Sequence, residues 1–221
     1  MDAKPAFTSR PYHPETDLPA MAELINYVGS VEQLDESTSP DDLRQWFKSP
    51  GIDPGKNIRL WEEASGRLVA VAVLITLAPT EISIDGRLTF YIHPRAAQSG
   101  LDDEVIAWAG PALLEHGASR GLPCKLLSGA LEHYKGRREA LERNGFTLAR
   151  HFFVMHRPLD EPLEEPRFPE GFTLSNVAEH PDVDRYVEMY NLSFVDHWNF
   201  HPMLPERRTH VMNDPRYRPE G

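Results

Sequence analysis

The stretch from Leu88 to Trp108 constrains this chain more than any other. Leu88, Thr89, Phe90, Tyr91 and Ile92 form a run of β-branched and aromatic residues that stops at His93 and Pro94, the pattern of a strand. A short polar loop with one glycine, Gly100, follows. Val105, Ile106, Ala109 and Leu113 then fall on one stripe, which predicts a helix. A strand feeding a loop and a helix N-terminus suits an anion. The first N–H groups of a helix have no internal partner and carry partial positive charge.

With 221 residues and 40% hydrophobic content, the chain can build one large domain, or one domain with an extension. Its 34 acidic against 23 basic residues give a net charge of −11, which argues against a nucleic-acid partner. The single cysteine, Cys124, allows no internal disulfide and points to a reducing cytoplasm. The opening residues lack the apolar core of a signal peptide. The longest apolar run, Leu68 to Leu77, is well short of the ~20 residues that cross a bilayer. The expectation is a soluble cytoplasmic protein with no membrane partner.

Read in order, Phe7 to Tyr12 predicts a short strand, and the apolar spacing from Leu18 to Val28 predicts a helix over 17–28. Ser39 before Pro40 is an N-cap signal for a second helix, running to about Lys48. Asn57–Glu62 and Arg67–Leu77 flank a glycine turn and predict a hairpin whose second strand is buried on both faces. Residues 82–92 predict the next strand, possessing a bend at Asp85-Gly86. Pro111 should kink the following helix or mark its restart. A brief strand at Lys125–Leu127, a helix over 131–144 closed by Gly145, and a last strand over 146–156 complete the series. Arg137, Arg138 and Arg143 alternate with Glu139 and Glu142 and read as a salt-bridged helix face. Cys124 reads as a core residue.

Between residues 158 and 171 the composition changes to prolines alternating with acids, a stiff linker. The chain then begins again. At an offset of 165, Phe7-Thr8 meets Phe172-Thr173, Asp17 meets Asp182, Asn26 meets Asn191, and Pro40 meets Pro205. The repeat reaches only a strand and two helices. Val187, Tyr190, Phe194 and Trp198 therefore need a covering surface, either the first domain or a second subunit in a homodimer through 172–221. His197, His201 and His210 lie close in sequence, but Asn199 and Pro202 interrupt any helix there, and no metal site is expected.

The strand, His93-Pro94, loop and helix resemble the acetyl-CoA-binding segment of the GCN5-related N-acetyltransferases, whose loop reads Gln/Arg-x-x-Gly-x-Gly/Ala. Gly100 stands at the first glycine position. Ala97 stands where Gln or Arg is expected, and Asp102 where the second small residue is expected, so the loop is degenerate. The order of elements over residues 7–157 is that family's order. The resemblance implies an α/β (α+β) acyl-CoA N-acyltransferase fold, a mixed twisted sheet with helices on both faces, plus a partial second repeat as in tandem, mycothiol synthase-like members. Domain boundaries follow at 1–157, a linker at 158–171, and an incomplete second domain at 172–221.

By resemblance, the activity is acetyl transfer from acetyl-CoA to a small-molecule or peptide amine, and the acidic composition favours a cationic amine. The backbone of Tyr91, Ile92 and His93 would line the pantetheine arm. Arg95, Gly100, Leu101 and Asp102 would border the pyrophosphate. Asp102, Asp103 and Glu104 suit the helix dipole but repel a phosphate. One such charge pair about 7 Å apart costs about 2.4 kcal/mol at an effective dielectric of about 20. Weak or absent acetyl-CoA binding is expected. Where the family often carries a tyrosine acid, shortly before Gly145-Phe146, this chain has Leu141, and Tyr134 is the available substitute. Glu81 and His93, with Glu62 and Glu63, are the candidate bases; a solvated carboxylate and a hydrogen-bonded structural histidine are the simpler readings. The alternative function is a non-catalytic binding or dimerisation module of the same fold.

Overall fold

A computed structural model describes residues 7–34, 37–97, 99–118, 120–162 and 164–220. Five strands form one sheet in the order β1 (Thr8–Pro11), β2 (Ile58–Glu62), β3 (Leu68–Thr76), β4 (Ile84–Ile92) and β5 (Cys124–Ser128). The first three pairings are antiparallel, and β4 with β5 is parallel. α1 (Leu18–Val31), α2 (Pro40–Trp46) and the single turn α3 (Pro54–Asn57) precede the hairpin. α4 (Leu101–Ala118) crosses over from β4 to β5, and α5 (Lys135–Arg143) follows.

The central strand explains the layering. Val71 and Val73 point into a core shared with Met21, Leu24 and Val28 of α1 and Leu43 of α2. Ala70 and Ala72 point the other way, under Leu101, Val105 and Ala109 of α4. Small residues on that face let α4 lie close. The approach is closest at Gly86, where an added Cβ would stand 2.8 Å from Leu113 Cδ1.

Local signals act as expected at α2, where Ser39 and Asp42 form a reciprocal capping box ahead of Pro40. At α1 they do not. Asp17 holds the N-cap position without capping; its carboxylate instead accepts from both Arg10 Nη atoms, at 2.7 and 2.9 Å, and from the His13 N–H. Arg10 also reaches Glu62 at 2.7 Å, so one guanidinium ties β1, α1 and β2.

Three sequence expectations need correction. α4 runs through Pro111 without a restart. The carbonyl that loses its partner belongs to Ala107, and both residues face solvent, where water replaces the bond. α5 begins at Lys135, not 131, because Tyr134 has a non-helical ψ of 70°. Residues 146–156 form no strand, and Phe153, Val154 and Met155 are exposed. A run rich in aromatic and branched residues suits a strand but does not supply a partner edge, and no described segment pairs with this one.

Beyond residues 157–171, whose described members carry no helix or strand, α6 (Val183–Phe194) and α7 (Pro205–Met212) form a second helix pair. Each starts 165 residues after α1 and α2 respectively. The same offset relates a pair of clamps. The Asn26 side chain donates to Thr38 O at 2.9 Å and accepts from Thr38 N at 2.7 Å. The Asn191 side chain does the same with Met203, at 3.1 and 2.8 Å. Arg208 is buried in this pair, its guanidinium 3.7 Å from the Tyr186 ring centroid and donating to Tyr217 Oη at 2.5 Å.

This C-terminal part rests on the sheet of its own chain. Asp85, almost fully buried, accepts from Ser83 Oγ at 2.8 Å and pairs with Lys125 Nζ at 2.8 Å. His201 reaches the same carboxylate at 3.2 Å and Ala78 O at 2.6 Å. Burial pushes the carboxyls of Asp85 and Asp17 up, but their cationic and hydrogen-bonded partners outweigh it and hold both below the ordinary 3.8. Their stabilisation is present above that value and is lost as pH falls through the depressed folded pKa. Urea titrations between pH 5 and 3 should show falling stability in the wild type, and a shallower fall in Asp85→Asn.

Candidate active site

β4 outruns its parallel neighbour. Register ends at Leu88 opposite Ser128, and Ser128 Oγ closes the junction by donating to Leu88 O at 3.0 Å. Thr89 to Ile92 continue along β3 alone, so β4 and β5 splay apart. On the splayed side the exposed backbone needs new partners. Arg137 of α5 supplies one: Nη2 donates to Phe90 O at 2.9 Å, and the guanidinium lies 4.5 Å from the Phe90 ring centroid.

Arg137 also lies 3.6 Å from Glu32 Oε1, at the end of α1. The two side chains are 12% and 4% exposed, so this pair is sheltered from water. Among the described residues, Glu32 Oε1 and Arg137 Nε have no hydrogen-bond partner. His133 reaches Glu32 O at 3.3 Å, and the Tyr134 ring centroid is 5.3 Å from the Arg137 guanidinium. Burial pushes the Tyr134 phenol up, so it holds its proton at neutral pH. The cleft therefore contains a phenol, a carboxylate and a cation, with the cation bound to the strand.

The loop is wound into turns. Ala96 N donates to His93 O at 2.7 Å, Ala97 N to Pro94 O at 3.4 Å, and Ser99 N to Ala96 O at 3.1 Å. Gly100 has φ +83°, the left-handed region that glycine enters at no steric cost. Leu101 is buried in the core beneath α4. Asp102 is buried at the helix start. Burial raises its pKa, against the pull of Arg137 and Arg143. Asp103 turns to α5 and accepts from Arg143 at 3.0 Å and Asn144 at 2.6 Å.

The remaining expected site residues separate. Tyr91 faces the α1 core and Ile92 the α4 core, as alternate residues of one strand must. The backbone N–H of His93 completes the ladder on Val69 O at 2.8 Å. Its Nδ1 accepts from Arg95 N at 3.2 Å, and its ring stacks on Tyr27 at 4.8 Å. Burial, then the charge of Arg95, lowers its pKa. The imidazole is thus neutral with its lone pair committed to the turn, a poor arrangement for a base. The Arg95 side chain is exposed. Glu81 is exposed in the turn before β4, at the far end of a nine-residue strand roughly 26 Å long. Glu62 is taken by Arg10, and Glu63 lies in the β2–β3 turn.

Arg137, Glu32, Phe90 and Ser128 are the cleft residues that the sequence reading missed. Arg137 does not belong to an exposed salt-bridged face; only Arg138 makes an ion pair within α5, with Glu142 at 3.9 Å. The late start of α5 brings Arg137 to the helix's first turn, facing β4. The signal available in sequence was a strand longer than its parallel neighbour, which leaves a carbonyl in need of a donor.

No family model matches the sequence, and no curated protein matches it. Solved structures do. The chain is similar to a GCN5-related N-acetyltransferase from Sphaerobacter thermophilus at 20% identity and TM-score 0.67, over 94% of this chain and 63% of that one. It therefore spans less than two thirds of that protein's length. A putative phosphinothricin N-acetyltransferase matches at 19% identity and TM-score 0.51, over 64% of this chain and 84% of that one. A predicted acetyltransferase with acetyl-CoA from Clostridium acetobutylicum matches at 12% identity and TM-score 0.51, over 68% and 96%. The chain has the GCN5-related N-acetyltransferase fold. In its cleft Arg137 holds the Phe90 carbonyl, turns close on three loop N–H groups, and a buried carboxylate stands at the helix start.

Removing one member of the Glu32–Arg137 pair leaves the other buried and uncompensated. Arg137→Met should cost about 3–5 kcal/mol in urea unfolding. Glu32→Gln in the same chain should recover part of that loss, a coupling that a double-mutant cycle measures.

Proposed function

We propose that this chain serves acetyl transfer from acetyl-CoA to an amine, and that the unit at 1–157 is the supporting, non-catalytic half of that machinery. The observation that carries this reading is the Arg137 bond to Phe90 O inside the splay between β4 and β5. A protein group sits on the strand where an extended ligand would need the backbone. The degenerate loop supports the same reading, because Asp102 occupies the helix start that would serve a phosphate.

A second unit of the same fold would begin at 172. The matched starts of α1 with α6 and α2 with α7, and the matched Asn26 and Asn191 clamps, support it. So does the Sphaerobacter alignment, which at 94% of the chain extends well past residue 157. In this reading residues 158–171 are the linker between units. The acceptor is a small-molecule or peptide amine, with a cationic amine favoured by the net charge of −11.

A second reading makes the first unit itself a transferase, with Tyr134 as the acid. Its phenol is kept protonated by burial beside the cleft, which favours that role. Titration calorimetry with acetyl-CoA separates the two. The supporting-unit reading expects no saturable binding, or a Kd weaker than about 100 µM, corresponding to less than about 5.5 kcal/mol. A low-micromolar Kd, together with release of coenzyme A thiol in the presence of amines, would overturn it in favour of the second.

A further inference from the structure

A large cavity lies at the other end of the sheet from this cleft. It encloses about 1190 Å³ between the first unit and the C-terminal helices. Trp46, Ile75, Leu77 and Ile84 line it from the α2 and sheet side. Leu204 and Val211 face it from the start and the body of α7, and both remain more than 40% exposed.

Apolar walls of this kind gain by closing, at about 25 cal/mol for each Å² removed from water. Polar struts hold these walls apart. Ser49 Oγ meets His210 Nε2 at 3.2 Å, Asp42 pairs with Arg216, and His201 is held on Ala78 O and Asp85. An apolar space kept open by bridges at its margins is a container rather than a packing defect.

Its charge departs from the rest of the molecule. The chain carries 34 acids against 23 basic residues, yet the cavity is lined by four arginines and three acids. Arg216 and Asp214 pair with each other. Arg87, Arg120 and Arg207 line the rim with no carboxylate at ion-pair distance among the described residues, while Glu115 and Glu206 also line it. In the same wall, the Thr76 hydroxyl is buried without a hydrogen-bond partner among the described residues.

We propose that this cavity is a ligand site for an organic carboxylate with an apolar body of medium length. The apolar walls take the body, and the arginine rim takes the anionic head. The volume is at or just above the upper end of the roughly 300–1,000 Å³ typical of small-molecule sites. This site is remote from the β4–β5 cleft and stands whether or not that cleft binds acetyl-CoA.

The test is titration calorimetry of the full chain with decanoate, below its micellar concentration. We expect saturable binding at one site. Decanol, the same body without charge, should bind at least tenfold more weakly. The surface variant Arg87→Gln/Arg207→Gln should weaken decanoate by tenfold or more and leave decanol unchanged. Val211→Trp should weaken both by intruding on the apolar wall, with an unaltered circular dichroism spectrum. Equal affinity for decanol and decanoate, unsaturable heats, or decanoate binding indifferent to Arg87→Gln/Arg207→Gln would overturn the proposal.

Discussion

The cleft end of this molecule depends on a carbonyl that its own sheet leaves unpaired. β4 is nine residues long and β5 only five, so four residues of β4 leave their parallel neighbour behind. A buried backbone oxygen without a donor costs free energy comparable to a lost hydrogen bond. Phe90 O is therefore a demand, and the chain answers it with Arg137. Everything nearby follows from placing that cation. Glu32 lies within ion-pair range of it, Tyr134 and Phe90 present ring faces to it, and Asp102 feels its charge.

The loop before α4 is part of the same economy of polar groups. A helix start presents donors, and donors attract any anion within reach. Here a buried carboxylate, that of Asp102, stands at the helix start, and three preceding N–H groups close turns. The result is a strand–loop–helix junction with the geometry of an anion site and the hydrogen-bond inventory of a finished structural corner.

Much of the fold was legible in the residue pattern. The hairpin around Gly66, the doubly buried strand of Val71 and Val73, and the Ser39 cap are local or periodic features, and they appear within a residue or two of where the pattern puts them. The membrane reading rested on run length, and no helix among the described residues is long and apolar enough to cross one. The site was less legible. Arg137 looked like an exposed helix residue because one non-helical ψ at Tyr134 shifts the start of α5, and with it the face that meets β4. Residues 146–156 hold a strand-like run of aromatic and branched residues, but pairing is a property of two segments. Glu32 has no local signature at all; only the end of α1 meeting α5 gives it a role.

Gly86 sets a limit on how this architecture can move. Leu113 fills the room a side chain there would need, so α4 is seated on β4 with no slack between them. The helix, and with it the loop at its start, is fixed to the sheet. Any widening of the gap beyond Leu88 must come from the opposite flank, by α5 swinging away and taking Arg137 with it. The crevice is thus hinged on one side only: a fixed jamb and a door.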